Sequence, residues 1–541
     1  MVSTRWVIGL GTCAVLLYVF LGGMNLYWGD LNQDEGWYLY AARQIAEGHV
    51  VFRDFAFSQG PVFPLVYSLA NSWVDRWGIA GGRLFTALLG LVAACLGAAV
   101  AARTAPARWG RAAALLAFIL AGVSVYQSYF TTIVKTYALC SAFLMAGVLA
   151  LCAVRGRHGG AAAMASGLLI ALAAGTRIST GIALPVIFIY LILRRREVGD
   201  SRWFLFGAGG AVGLLLWSLP FMVVAPEAFR FWMLEYHTAR SVGGLVPLLV
   251  FKVGFVSRLL QAFFVPLCLW VAVVLVKLLR PGTTGVVAAP DHVPSGLRGA
   301  LWTVLAAITL VHFSAPFPYE DYQVAVMPLF AAVLGGAMCA VIAGFTEGRD
   351  GALAVSWTRW LLAMVLLASA AASFSSPINQ NWVIAGRDRI WWKLRKEAPL
   401  KVLHDVSLWI GKQVPVGECV LLTQDTYIAV ESGLTVPQGL EMGPFSYFPD
   451  MPRERAEKLR VLNREMLEEL LRTAPASVAA FSGYGLAIRA PEVSQLSADE
   501  QMTLWTLVGE NYGEICEVPD FGQSGTMLKI FRRRDRETPG S

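Results

Sequence analysis

Charge is what this chain is short of. Asp, Glu, Lys and Arg make up 15% of its 541 residues and hydrophobic residues 56%, whereas roughly a quarter of a soluble globular protein is charged. That deficit excludes an ordinary water-soluble fold. Histidine is scarce too, at six, and the eight cysteines form no CxxC pair and no Cys/His cluster of metal-ligand spacing, which removes the zinc-site motifs. No Walker A run occurs, and no GxGxxG follows a strand-like run, so a nucleotide role has no support. The net charge of +7 is spread over short loops between apolar runs and does not gather into a basic patch. It therefore argues against nucleic acid as a partner and for a membrane topology signal.

What is there is a series of apolar runs from near Trp6 to near Ala372, each about 17 to 25 residues, long enough to cross the hydrocarbon core as a helix. After Phe374 no such run recurs. The first run, Trp6 to Tyr27, is too long for a signal-peptide core and lacks a small-x-small cleavage site, which predicts a retained span. Six cysteines (Cys13, Cys95, Cys140, Cys152, Cys268, Cys339) fall in apolar runs as small hydrophobes. Cys419 and Cys516 lie in the polar last third and are candidates for a disulfide if that part faces an oxidising space.

Basic residues cluster in alternate loops: Arg103, Arg108 and Arg111; Arg155 and Arg157; Arg194, Arg195 and Arg196; Lys277 and Arg280; Arg349 and Arg359. The positive-inside rule places those loops in the cytoplasm and predicts about eleven spans with a cytoplasmic N-terminus. The expected fold class is an α-helical polytopic membrane protein of the cell (inner) membrane. Residues 1–375 form the membrane domain, with a first external loop over 29–78, and residues 376–541 form a small extracytoplasmic α/β domain. The segment around Pro226 to Val250 is then external as well.

Within the first loop, Gly36 to Gly48 has the pattern of a helix lying in the membrane interface. Pro61 to Trp77 suits an interfacial or re-entrant helix. In the last third, helices are predicted over Val402–Val414, Arg453–Arg472 and Ala498–Tyr512. Strands are predicted over Cys419–Thr423, Val478–Phe481 and Met527–Phe531, followed by a frayed tail from Arg532 to Ser541.

Asp34 and Glu35 stand just after the first span. An ionised carboxylate at a bilayer boundary costs several kcal/mol unless it meets water, a cation or a substrate, so the pair is a candidate reacting centre. Other polar groups collect at the same predicted side: Lys135, Arg177, the run Glu235–Tyr236–His237 with Arg240, Arg258, and Glu320–Asp321–Tyr322–Gln323. Arg258 and Lys252 suit snorkelling to lipid headgroups as well as they suit ligand binding. Arg177, with no other charge between His158 and Arg194, suits an anion, because guanidinium meets phosphate in a bidentate way. His237 is equally fit to orient an acid, ligate a metal or cap a loop. No cofactor is required by this reading, although the oxygens of Asp34 and Glu35 are of the type that a divalent cation takes.

These motifs resemble the polytopic C-type (GT-C) glycosyltransferases that use polyprenyl-phosphate sugars, including protein O-mannosyltransferases and the aminoarabinose transferase of lipid A. Asp34-Glu35 and Gly60-Pro61-Val62-Phe63-Pro64-Leu65-Val66-Tyr67 are similar to that family's first external loop. Gly175-Thr176-Arg177-Ile178-Ser179-Thr180-Gly181, followed by Leu184-Pro185, resembles its Gly-x-x-x-Lys-Gly-Pro stretch with Arg for Lys. Tyr319-Glu320-Asp321-Tyr322-Gln323 with Met327-Pro328-Leu329 resembles the opening of a late span. Two departures argue against a lipid A acceptor: Lys135 stands where relatives often carry an acidic residue, and Ser58-Gln59-Gly60 replaces a Lys-Pro-Pro.

The resemblance implies an inverting transfer of a hexosyl or pentosyl group from a polyprenyl-phosphate carrier to a hydroxyl of a protein, glycan or lipid outside the membrane. Asp34 and Glu35 would be catalytic, with Asp34 the base and Glu35 orienting it. Arg177, Arg240, Arg258 and Lys135 would bind the donor phosphate, and His237, Glu235 and Tyr322 the substrate. A transporter or flippase of a lipid-linked sugar is the alternative, and a receptor or scaffold on a membrane anchor is a third reading. No inverted repeat or matched pair of broken spans supports the transporter.

Overall fold

The computed structural model describes residues 4–240, 243–279, 293–346, 351–375 and 395–534. Arg280, Arg349 and the tail beyond 534 lie outside the described residues. Eight helices are long and apolar enough to cross a membrane, with shorter apolar helices over Thr136–Leu151, Ile178–Leu193 and Phe264–Leu279. The chain is an α-helical polytopic membrane protein that carries a small α/β domain. Met327–Thr346 lies in the middle, packed on Ile79–Thr104, Gly110–Gly122 and Gly351–Ser375, while Gly159–Thr176 packs between Arg202–Val224 and Thr136–Leu151.

Arg258 belongs to a helix near the end of the membrane domain's middle third, Leu245–Ala262, which breaks at Phe263 before Phe264–Leu279 begins. Lys252 on that helix donates to the carbonyls of Phe313 and Ala315, and Arg258 reaches Glu320 at 2.7 Å. The helix therefore lies against the 313–320 turn, at the end of the bundle that faces the α/β domain.

The first-loop helix, Gln33–Ala46, starts in a capping box: Asn32 accepts from the Asp34 backbone N–H at 3.1 Å and Glu35 accepts from that of Asn32 at 3.0 Å. Its apolar face is covered by protein. Residues Trp37 to Arg43 are buried because the α/β domain sits on them. Gly36 is where the two touch, since a Cβ there would lie 2.3 Å from the Tyr427 backbone nitrogen. Gln33 Nε2 donates to Asp425 at 3.0 Å, Arg43 to the Leu434 carbonyl at 2.6 Å, and Arg395 pairs with Asp30 at 3.0 Å. Residues 61–77 form short helices, Val62–Tyr67 and Asn71–Trp77, with no span.

The α/β domain holds strands β1 (Leu421–Thr423), β2 (Val478–Phe481), β3 (Tyr512–Phe521) and β4 (Thr526–Arg533) in the order β1-β2-β4-β3. β1 and β2 are parallel; β2 with β4 and β4 with β3 are antiparallel. β3 was not anticipated. The charged helix predicted over Arg453–Arg472 is two helices, Arg453–Leu459 and Arg464–Thr473. Arg460 ends the first in the left-handed conformation (φ 60°), and Asn463 caps the second by accepting from the Met466 N–H at 2.9 Å. Cys419 and Cys516 are free thiols. Cys419 precedes β1 and Cys516 lies in β3, the opposite sheet edge, about 14 Å off at the usual strand spacing and beyond disulfide reach.

Candidate active site

Asp34 and Glu35 are chain neighbours with separate surroundings. Glu35 is fully buried and takes two bonds from Arg83, Nε to Oε2 at 2.7 Å and Nη2 to Oε1 at 2.6 Å. It also accepts from the Val134 backbone N–H at 3.1 Å. Arg83 spends its remaining donors on the carbonyls of Asn25, Leu26, Gly29 and Asp30. This closed knot leaves Glu35 no oxygen for a substrate or an ion, so its part is structural and the catalytic expectation for it is withdrawn. Asp34 is a quarter exposed. Its carboxylate accepts from Trp37 Nε1 at 3.3 Å and pairs with Lys135 Nζ at 3.1 Å.

Lys135 also pairs with Asp321, at 3.2 Å, so its ammonium bridges two carboxylates. It lies 5.3 Å and 5.7 Å from the ring centres of Phe130 and Tyr137. The next residue, Thr136, accepts from Arg177 Nη1 at 3.3 Å. The Arg177 guanidinium lies between the rings of Tyr137 and Tyr322, 4.9 Å and 4.3 Å from their centres. Arg240, from the segment after Pro226, comes close to Tyr322 and Tyr236. Neither Arg177 nor Arg240 ion-pairs with a carboxylate among the described residues, and the Nε of each is buried without a partner. An unpaired buried cation is costly, so two of them side by side are a standing site for an anion.

The supports of this centre can be traced. Gln323 Nε2 donates to His312 Nδ1 at 3.1 Å, which leaves His312 Nε2 to donate to Ser179 Oγ at 2.8 Å. That chain ties the turn after Arg177 to the turn bearing Asp321 and Tyr322. Gly60 lets the first loop approach the end of Gly159–Thr176, because a Cβ there would lie 1.9 Å from the Gly175 carbonyl oxygen. His237 sits near the Ser58 backbone, and burial with the nearby charges of Arg240 and Arg177 pushes it down to about 4. Its imidazole is neutral at neutral pH.

The structure thus gathers Asp34, Lys135, Arg177, His237, Arg240 and Tyr322, and adds Asp321, Tyr38, Tyr137 and Trp37. Arg258 stands at the edge, held by Glu320 at 2.7 Å, which also accepts from the Tyr126 hydroxyl at 3.2 Å. Glu235 is not in the site. It is taken by Arg230 and Arg455, each at 2.8 Å, on the seam with the α/β domain, because the turn that aims His237 and Arg240 inward aims Glu235 outward. Among the described residues no three of His, Cys, Asp and Glu come together as a metal site.

An apolar groove of about 490 Å³ lies among the helices, lined by Phe255, Leu259, Trp270, Trp302, Phe313 and Gln323 among others. Gln323, the chain neighbour of Tyr322 and the partner of His312, is the lining residue that links this groove to the turn bearing Asp321 and Tyr322.

A bundle of apolar helices with charged groups collected at one end, together with a C-terminal α/β domain, is a fold that solved structures share. The crystal structure of ArnT from Cupriavidus metallidurans bound to undecaprenyl phosphate matches with a TM-score of 0.59 at 15% identity, covering 98% of each chain. Its apo form matches at 0.59 and 16% identity. The apo oligosaccharyltransferase of Archaeoglobus fulgidus matches at 0.52 and 14% identity, over 99% of this chain and 75% of that one. No family model and no curated protein matches the sequence.

Proposed function

We propose that this chain is a membrane glycosyltransferase that moves a sugar from a polyprenyl-phosphate carrier to a hydroxyl acceptor, with inversion at C1. The observation that carries the reading is the pair Arg177 and Arg240, half-buried, with no carboxylate partner among the described residues and an unpartnered Nε on each, in a bundle that also holds an apolar groove. An amphipathic ligand with one anionic head and a long apolar tail fits both features. The undecaprenyl phosphate bound by ArnT is such a molecule.

Asp34 takes the acceptor proton as the hydroxyl oxygen bonds to C1. The C1–O bond to phosphate breaks, its electron pair goes to the phosphate oxygen, and Arg177 and Arg240 hold the charge that builds there. Lys135 pairs with Asp34 and aims it, so the centre has a cation of its own next to the base. Tyr322 and the neutral His237 line the sugar side. Loop charges put the site and the α/β domain outside the cell membrane and the N-terminus in the cytoplasm. The acceptor is a hydroxyl of a protein, glycan or lipid.

The test is release of polyprenyl phosphate from a polyprenyl-phosphate sugar by the purified chain, with and without EDTA. Asp34→Asn lowers kcat by about 10²- to 10⁴-fold, whereas EDTA leaves it within about twofold because Lys135 is covalently part of the site. Full turnover by Asp34→Asn removes the base. A donor that crosses the membrane intact makes the chain a transporter instead.

A further inference from the structure

We infer that Lys135 determines sugar specificity, occupying the place between Asp34 and Asp321 that a substrate ammonium would take, so that the transferred sugar is one without a free amino group. The inference rests on the glycosyltransferase reading and narrows its substrate class.

The geometry is that of a built-in counter-cation. Lys135 Nζ lies 3.1 Å from Asp34 and 3.2 Å from Asp321, with only 5% of its side chain exposed. The remaining carboxylates near the centre are bound elsewhere: Glu320 by Arg258, Glu35 by Arg83 and Asp30 by Arg395. An amino sugar entering beside Asp34 therefore meets no carboxylate without a cation of its own. It meets three positive side chains, Lys135, Arg177 and Arg240, at close quarters. Like charges in a partly desolvated site repel strongly.

Charge balance points the same way. Lys135, Arg177, Arg240 and Arg258 face Asp34, Asp321 and Glu320, four positive groups against three negative, with His237 neutral. The single negative charge of a sugar phosphodiester closes that balance. A sugar ammonium would restore the excess and raise the free energy of the bound state. Neutral sugars find donors and acceptors instead in the Tyr38, Tyr137 and Tyr322 hydroxyls and in His237.

The experiment reads binding and needs no acceptor. The purified full-length protein is offered equal amounts of a polyprenyl-phosphate hexose and its amino-deoxy counterpart on the same lipid, and retention is compared by native mass spectrometry. The wild-type chain retains the neutral donor at least about tenfold better. Lys135→Arg keeps that preference, and Lys135→Met brings the ratio to about one or inverts it, since Asp34 and Asp321 then have room for a substrate ammonium. Equal or better retention of the amino donor by the wild type overturns the inference and leaves the glycosyltransferase reading standing. So does a ratio that Lys135→Met does not move in protein that still retains sugar-free polyprenyl phosphate. Retention of neither donor nor polyprenyl phosphate by the wild type sinks that reading, and this inference with it. Should Lys135→Met fail to fold, the wild-type ratio and that of Lys135→Arg still decide.

Discussion

Arg83 and Arg177 are both guanidiniums set into apolar helical sequence, and the chain treats them in opposite ways. Arg83 is saturated: a carboxylate and four carbonyls take its donors, and no part of it meets solvent. Arg177 has one hydroxyl, two aromatic faces and an unpartnered Nε. The first arrangement fixes where the first loop leaves the bundle, because Asn25, Leu26, Gly29 and Asp30 all converge on one side chain. The second leaves hydrogen-bonding capacity unspent. Saturated charge holds structure here, and unsaturated charge marks the site.

The largest effect that tests this contrast is at the knot. Glu35→Ala strands a fully buried Arg83, and removing one partner of a buried pair costs about 3–5 kcal/mol. We expect a large loss of folded protein by size-exclusion yield and a fall in the thermal midpoint. A variant that folds normally and loses only turnover would return Glu35 to the reacting centre.

Glu441 offers the next test, as a buried carboxylate whose Oε2 accepts from the Gly439 backbone N–H at 2.8 Å. Burial lifts it from an ordinary 4.5 to about 7. Between those values the folded chain holds a proton that the unfolded chain has released. Stability from this group therefore falls as pH rises from about 4.5 to 7 and is level above that. The full penalty is about 3 kcal/mol. Glu441→Gln should raise the thermal midpoint at pH 8 and leave it unmoved at pH 4.5. An equal gain at both pH values would mean a packing effect.

Legibility from sequence followed the same divide. The bundle, the α/β domain and the strand Val478–Phe481 were readable because long apolar runs and short buried ones are local signals. Asp34, Lys135, Arg177, Arg240, His237 and Tyr322 were readable because polar groups at span ends stand out against apolar sequence. What the sequence could not say was who partners whom. Glu35 looks as reactive as Asp34 until Arg83, 48 residues on, is seen to reach it. Arg83 itself was the missed signal, an arginine just inside an apolar run. That the helix expected over Gly36 to Gly48 is covered by protein was not legible, because the surface that buries it, around Tyr427, lies almost 400 positions away. Whether a cation is spent or unspent is a tertiary property.

Arg177→Ala and Arg240→Ala sharpen the comparison from the other side. Each removes a charge-assisted contact to phosphate, about 1.5–3 kcal/mol, and should weaken polyprenyl-phosphate binding about ten- to a hundredfold. Thermal stability should hold or rise, because no carboxylate is orphaned. Unchanged affinity in both variants would leave the apolar groove without its polar anchor.

The smallest effect is expected at Glu235, which the family resemblance gave a part in substrate binding. Its partners, Arg230 and Arg455, are roughly half to two-thirds exposed, and its own side chain is a third exposed. Pairs this wet are screened by water and salt and are worth about 0–1 kcal/mol. Glu235→Gln should shift the thermal midpoint little, and less still in high salt, and donor affinity should match the wild type. If affinity falls as far as in Arg240→Ala, the seam between the 225–240 segment and the α/β domain moves with the ligand, and a surface ion pair would then have to be counted with the unsaturated charges of the site.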